Sequence, residues 1–175
     1  MRVNYIQQLP CSSQARPFGS LRRDVTNKTI FGPSKLSHRN DTCFFRDDEF
    51  WAKLTNFIID KYKDKSKVNV YSYACSDGSE AYSFVMSMIT NLGENAKKFF
   101  PVIAKDFDPY VINKAKRRDW YFLDDKEKSN INIYTNNRYN HFFKEIDYNY
   151  AYVTDLLFDN VEFSVADINK DYRNI

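Results

Sequence analysis

The chain has four glycines, Gly19, Gly32, Gly78 and Gly93, and they form neither GxGxxG nor GxxxxGK[ST]. That absence excludes the two common backbone cradles for pyrophosphate and nucleoside triphosphate. Its three cysteines, Cys11, Cys43 and Cys75, are odd in number and show no CxxC spacing. Neither a disulfide framework nor a zinc site is indicated, and a reducing cytoplasm is the expected compartment. His38 and His141 stand far apart without a partner at ligand spacing, so they read as ordinary surface or capping histidines and no metal is expected. No uninterrupted apolar run is long enough for a bilayer, so no membrane insertion is expected.

What is present is aromatic side chain, 17% of 175 residues, enough to build a packed interior for one domain. Charge is uneven. Residues 1–40 hold seven Lys/Arg against one Asp, leaving 19 basic and 22 acidic residues beyond them. The small net charge conceals a basic arm on a mildly acidic body. The arm carries Pro10, Pro17, Pro33 and scattered Ser with no sustained period, and is expected to be disordered or loosely docked. It is Arg-rich and acid-poor like an organelle transit peptide, but has no amphipathic helix pattern. It has no basic cluster interleaved with aromatics, so no nucleic-acid partner is expected.

The body is organised around Val68–Met88. Val68, Val70, Tyr71 and Tyr73 favour a pleated strand, Ala74 to Ser79 supply a small-residue turn, and Ala81, Tyr82, Phe84, Val85, Met88, Ile89 and Leu92 recur at helical spacing up to Gly93. A strand ending in such a turn at a helix N-terminus is expected to leave backbone N–H groups facing a crevice, where open α/β sheets bind nucleotides. Upstream, Asp47 and Asp48 suit a helix start, with Phe50, Trp51, Leu54, Phe57, Ile58 and Tyr62 on one face. Downstream, Pro101–Lys105 reads as a second strand, Asp108-Pro109 as a helix cap, and Val161–Val165 as a third strand. Between them, Asn140–Ile146 suggests a short helix and Tyr148–Thr154 an outlying strand. This alternation predicts an α/β fold with a parallel sheet.

Right-handed crossovers would then bring Glu80, Asp106 and Asp167 to one rim. An acid after the second strand is the usual ribose ligand, although from spacing alone an Asp at a strand end such as Asp106 is more often a turn or cap residue. One glycine, Gly78, in an acidic turn suits a ligand with a cationic amino or sulfonium group and no phosphate, which describes S-adenosylmethionine. Glu80 suits the amino group of its methionine end, or equally the dipole of a first helical turn.

Four blocks in order, Asn40-Asp41-Thr42-Cys43-Phe44-Phe45-Arg46, then ACSDGSEAYSFVM, AKDFDPYVINKAKRRDWY and NVEFSVADI, resemble the CheR-type chemotaxis methyltransferases, which methylate glutamate side chains of chemoreceptors. The resemblance covers roughly Ser37 to Tyr172. It implies a Rossmann-like S-adenosylmethionine-dependent methyltransferase fold, of which this chain holds the N-terminal half of the parallel sheet with its flanking helices. It implies Asn40, Thr42 and Arg46 bordering cofactor and reaction site, with Arg46 the catalytic candidate. Glu80 would meet the methionine end beside Gly78, Asp106 the ribose, and Asp167-Ile168 the adenine. The implied partner is a protein, the cytoplasmic helices of a chemoreceptor.

The departures are specific. The family usually has two successive Glu and then Pro where this chain has Ser79, Glu80 and Ala81, and usually Asn where Asp167 stands. Its later strands, with a Cys-Arg-Asn block, are not matched, and the short arm replaces its N-terminal helical domain. The domain is therefore expected to comprise residues 41–175 and to be incomplete, exposing the ladder edge of Val68–Ala74 to a partner. A non-catalytic remnant or interaction module that keeps part of the crevice is the alternative.

Overall fold

The computed structural model describes residues 2–3 and 42–171. In chain order its first elements are β1 (Arg2–Val3), α1 (Asp48–Lys61), β2 (Asn69–Tyr73), α2 (Ser79–Leu92), a 3₁₀ turn (Gly93–Phe99), β3 (Val102–Asp106) and α3 (Pro109–Lys116). There follow β4 (Tyr121–Phe122), α4 (Asp125–Tyr134), α5 (Tyr139–Phe142), β5 (Phe143–Glu145), β6 (Tyr150–Val153), α6 (Asp155–Phe158), β7 (Val161–Val165) and α7 (Ile168–Asp171). A parallel sheet runs β1-β2-β3-β7, and a small antiparallel sheet runs β4-β6-β5.

Local chemistry accounts for the helix ends. The Asp47 carboxylate accepts from Phe50 N–H to open α1, Asp108 accepts from Tyr110 N–H with Pro109 at the first position of α3, and Gly93 at φ 54° closes α2. Helix α2 is almost wholly buried, with Tyr82, Val85, Met86 and Met88 sealed in the core. Its Ser79, Ser83 and Ser87 recur every four residues and let neighbours approach closely. Ser83 Oγ bonds back to the Ser79 carbonyl at 2.7 Å, and Ser87 Oγ meets Thr55 Oγ1 of α1 at 2.5 Å.

The parallel sheet is asymmetric. Val70, Ser72, Val102, Ala104, Asp106, Val161 and Phe163 are buried, while the alternate residues Tyr71, Tyr73, Ile103, Lys105 and Ser164 are half-buried and Asn69 and Glu162 are exposed. Tyr71 and Tyr73 stack on that open side at 6.3 Å, with Lys105 Nζ 5.8 Å above the Tyr73 ring. Parallel sheets are normally covered on both faces.

Four expectations need correction. Phe57 was placed on the inner face of the first helix but is exposed, its ring carrying Lys61 Nζ at 4.9 Å; Thr55 takes the inner position. Residues 140–146 are not one helix: the backbone turns extended at Phe143 and enters β5, because Phe143 buries its ring against Phe44 and Tyr139. The outlying strand is the centre of the second sheet. Lastly, the outer edge of β2 is not bare along its length, since Arg2 pairs with Asn69 and Val3 with Val70. At those two residues the arm is ordered strand; the rest of it, including Cys11, His38 and Asn40, lies outside the described residues.

Candidate functional site

The turn after β2 is shaped by its backbone. Ala74, Ser76 and Gly78 all take positive φ, at 55°, 50° and 91°. Left-handed residues at alternate positions curl a chain into a concave turn. Against the expectation of N–H groups free to face a ligand, four of the turn's donors are bonded within the protein. Cys75 N–H bonds to the Lys105 carbonyl, Gly78 N–H to the Cys75 carbonyl, Ser79 N–H to Asp77 Oδ1, and Ser76 N–H to Asp106 Oδ2 at 2.8 Å. Gly78 is required by packing as well as by φ. A Cβ there would lie 2.6 Å from the Phe163 ring of β7.

Asp106 ends β3 and is buried. Its Oδ2 accepts from Ser76 N–H and its Oδ1 from Asp108 N–H at 2.9 Å, so it ties the two strand-end turns together. Each oxygen retains a lone pair. Its own carbonyl accepts from Ala166 N–H at 2.8 Å, which joins the end of β7 to the same rim. Glu80, in the first turn of α2, is pushed up from 4.5 to about 7 by burial, with the nearby Arg46 guanidinium pulling it down. Burial also pushes the Cys75 thiol up, reinforced by the charges of Asp106 and Asp77, which removes it as a nucleophile near neutral pH.

Arg46, whose charge acts on Glu80, follows two residues that are anchors. Phe44 and Phe45 are fully buried: Phe45 stacks on Tyr134 at 4.7 Å and meets Trp51 edge-on at 5.5 Å, while Phe44 meets Tyr121 and Phe143. Phe45 N–H donates to Ser83 Oγ at 2.9 Å, fastening the segment to α2. Thr42 and Arg46, on either side, are held half-exposed. Asp167 and Ile168 follow β7. Asp167 pairs with Lys170 at 3.6 Å, and Val165 and Ile168 around it and Phe107 after β3 present exposed apolar surface.

The structure thus brings Arg46 near enough to Glu80 for its charge to act on that carboxyl, and sets Gly78, Asp106, Asp167 and Ile168 at the carboxyl ends of adjacent strands β2, β3 and β7. Sequence reasoning missed Tyr121, whose hydroxyl donates to the Asp77 carbonyl at 2.6 Å, and Ser83, the anchor of Phe45. Nothing in sequence spacing marks either, because each acts across the chain.

Against this geometry, the sequence model of the CheR methyltransferase SAM-binding domain matches residues 40–175. The chain belongs to the CheR methyltransferase family. A chemotaxis protein methyltransferase of Listeria monocytogenes is 31% identical over 78 residues, covering 43% of this chain and 29% of that protein. A probable chemotaxis protein methyltransferase of Rhizobium etli is 29% identical over 87 residues, covering 46% of this chain and 32% of its own length. The corresponding protein of Borreliella burgdorferi is 30% identical over 84 residues, 44% of this chain and 30% of that one. The matched segment spans about a third of these curated relatives. As a CheR domain the fold is Rossmann-like and its cofactor is S-adenosylmethionine. The donor set fits that cofactor: a carboxylate whose burial leaves it short of positive charge, an acid at the end of the second long strand, and exposed apolar side chains at the strand ends.

Proposed function

We propose that this chain is the cofactor-binding part of a protein-glutamate O-methyltransferase, acting in the cytoplasm on chemoreceptor helices. The observation that carries the reading is the largely buried Glu80 carboxyl in the first turn of α2, with the Arg46 guanidinium near enough to favour its charged form. Glu80, ionised, meets the ammonium of the methionine end, and Arg46 presents a planar fork to a carboxylate, that of the cofactor or of the acceptor. Thr42 adds a hydroxyl on the same side, and Asn40 extends the same segment. Asp106 uses its remaining lone pairs for the ribose hydroxyls, and Asp167 accepts from the adenine amino group while Ile168 covers the ring. Gly78 keeps the turn close to β7, so that these groups stay on one rim. When bound, the cofactor supplies an electrophilic methyl group. The acceptor carboxylate is already a nucleophile near neutral pH, so the residues here contribute alignment rather than proton transfer.

A second reading, a non-catalytic module that keeps part of the crevice, is favoured by one feature. Asp106 is only 4% exposed and each of its oxygens already holds a backbone amide, so a structural tie between the strand-end turns accounts for it without turnover. Calorimetry with S-adenosylhomocysteine, repeated on Glu80→Ala and Asp106→Ala, tests the crevice; absence of binding refutes both readings. Radiolabelled methyl transfer to a receptor fragment tests turnover. Binding without transfer leaves the module.

A further inference from the structure

The geometry points to a second ligand site, for a phosphorylated small molecule, at the amino ends of the strands and thus on the opposite rim from the methyl-donor crevice. A cavity of about 530 Å³ lies there, lined by Ile59, Lys63, Lys65, Ser66, Asn95 and Lys98, with Leu92 and Glu94 completing its wall. That volume is in the range of small-molecule sites, roughly 300–1,000 Å³. It exceeds what a bare oxyanion fills.

The lining is chemically specific. Lys98 Nζ donates to the carbonyls of Tyr62 and Lys63, at 2.8 and 3.1 Å. An ammonium has three donors, so the third is left for a ligand, and the two bonds fix where it sits. Lys63 has a carboxylate neighbour, Asp60, but at 3.8 Å between exposed groups that pairing is loose. Lys65 enters no ion pair among the described residues, and Glu94, the one carboxylate of the lining, is engaged by Lys97. Three ammonium groups therefore share one cavity whose only acid is already paired. Ammonium groups bind phosphate as point charges, and Ser66 and Asn95 add neutral donors. Ile59 and Leu92 give the cavity an apolar wall for the body that carries the phosphate. The competing explanation is that Lys63 and Lys65 only complement the C-terminal dipole of α1. That explanation requires no ligand and leaves the volume between α1 and the 3₁₀ turn without a role.

The test is amide-resolved titration of the full chain with inorganic phosphate and then glucose 6-phosphate, with glucose as the uncharged control, at low and high salt. The expected result is saturable shifts centred on Ser66, Asn95 and Lys98, tighter for the sugar monophosphate than for phosphate, absent for glucose, and weakened by salt. Lys63→Gln with Lys65→Gln should weaken binding at least tenfold. Both side chains are exposed, so the melting temperature should be unchanged, which separates lost binding from lost folding. Binding of S-adenosylhomocysteine should also be unaffected, so failure here is distinguishable from failure of the methyl-donor site. Shifts scattered over the surface, equal affinity in the double variant, or a poly-glutamate peptide binding as well as the monophosphate would each overturn the assignment.

Discussion

Glu80 makes a quantitative prediction. Its carboxyl is raised from 4.5 to about 7 because folding removes it from water and Arg46 only partly compensates. Between those two values the folded chain holds a proton that the unfolded chain has released. Stability from this group therefore falls as pH rises from 4.5 to about 7 and is level above. At about 1.4 kcal/mol per pH unit the whole interval amounts to about 3 kcal/mol. Glu80→Gln removes the titration and keeps the shape. Urea unfolding of both proteins from pH 4.5 to 8 should show the variant gaining on the parent by about 3 kcal/mol across that window. The same proton competes with the cofactor. Affinity for S-adenosylhomocysteine should rise about tenfold per pH unit below 7 in the parent and be flat, and weaker at pH 8, in the variant. Parallel pH profiles for the two proteins, in both stability and affinity, would refute the argument.

Gly78→Ala should lower stability by about 2 kcal/mol, from a strained positive φ and a Cβ driven into Phe163; Phe163→Leu in the same chain should recover part of the loss on urea unfolding. Phe45→Ala removes a fully buried ring stacked on Tyr134 and should cost about 3–5 kcal/mol. Where that protein is still folded, cofactor affinity should fall too, because Arg46 loses its anchor; unchanged affinity by calorimetry would separate the two roles. Asp106→Ala strands the amides of Ser76 and Asp108, so it should lose about 1–3 kcal/mol of stability in addition to cofactor binding, whereas Asp106→Asn, able to accept one amide, should lose less of both.

The parallel sheet was legible because its strands are separated by strong helical periods and by signals with a local mechanism, such as the Asp108-Pro109 cap. Of the second sheet only the central strand was, as the outlying strand at Tyr148–Thr154. Its strands are two to four residues long, too short for alternation to stand out from chance. Helix α4 hides for a different reason: its sequence DKEKSNINIY buries only Glu127 and Ile131, so no apolar stripe marks it. Its one clue is Asp124 three residues before Glu127, the spacing of a cap that bonds the amide at the third helical position. The acids of the site were found by their place after strands. What those acids touch was not, because Asp106 holds Ser76 from thirty residues away and Phe45 rests on a serine thirty-eight residues on. The turn amides were misjudged for the same reason: counting donors in a loop says nothing about a carboxylate arriving from the next strand.

Among the described residues one face of the parallel sheet is buried and the other half-open, which gives its strands a two-letter rule for substitution. Along β3, a charged residue at Ile103 should be absorbed by water at small cost, while one at Val102 or Ala104 on either side has nowhere to go. Tolerance to mutation should therefore flicker residue by residue down each long strand, and a deep mutational scan of Asn69–Tyr73, Val102–Asp106 and Val161–Val165 would print the orientation of every side chain as a row of alternating bright and dark positions.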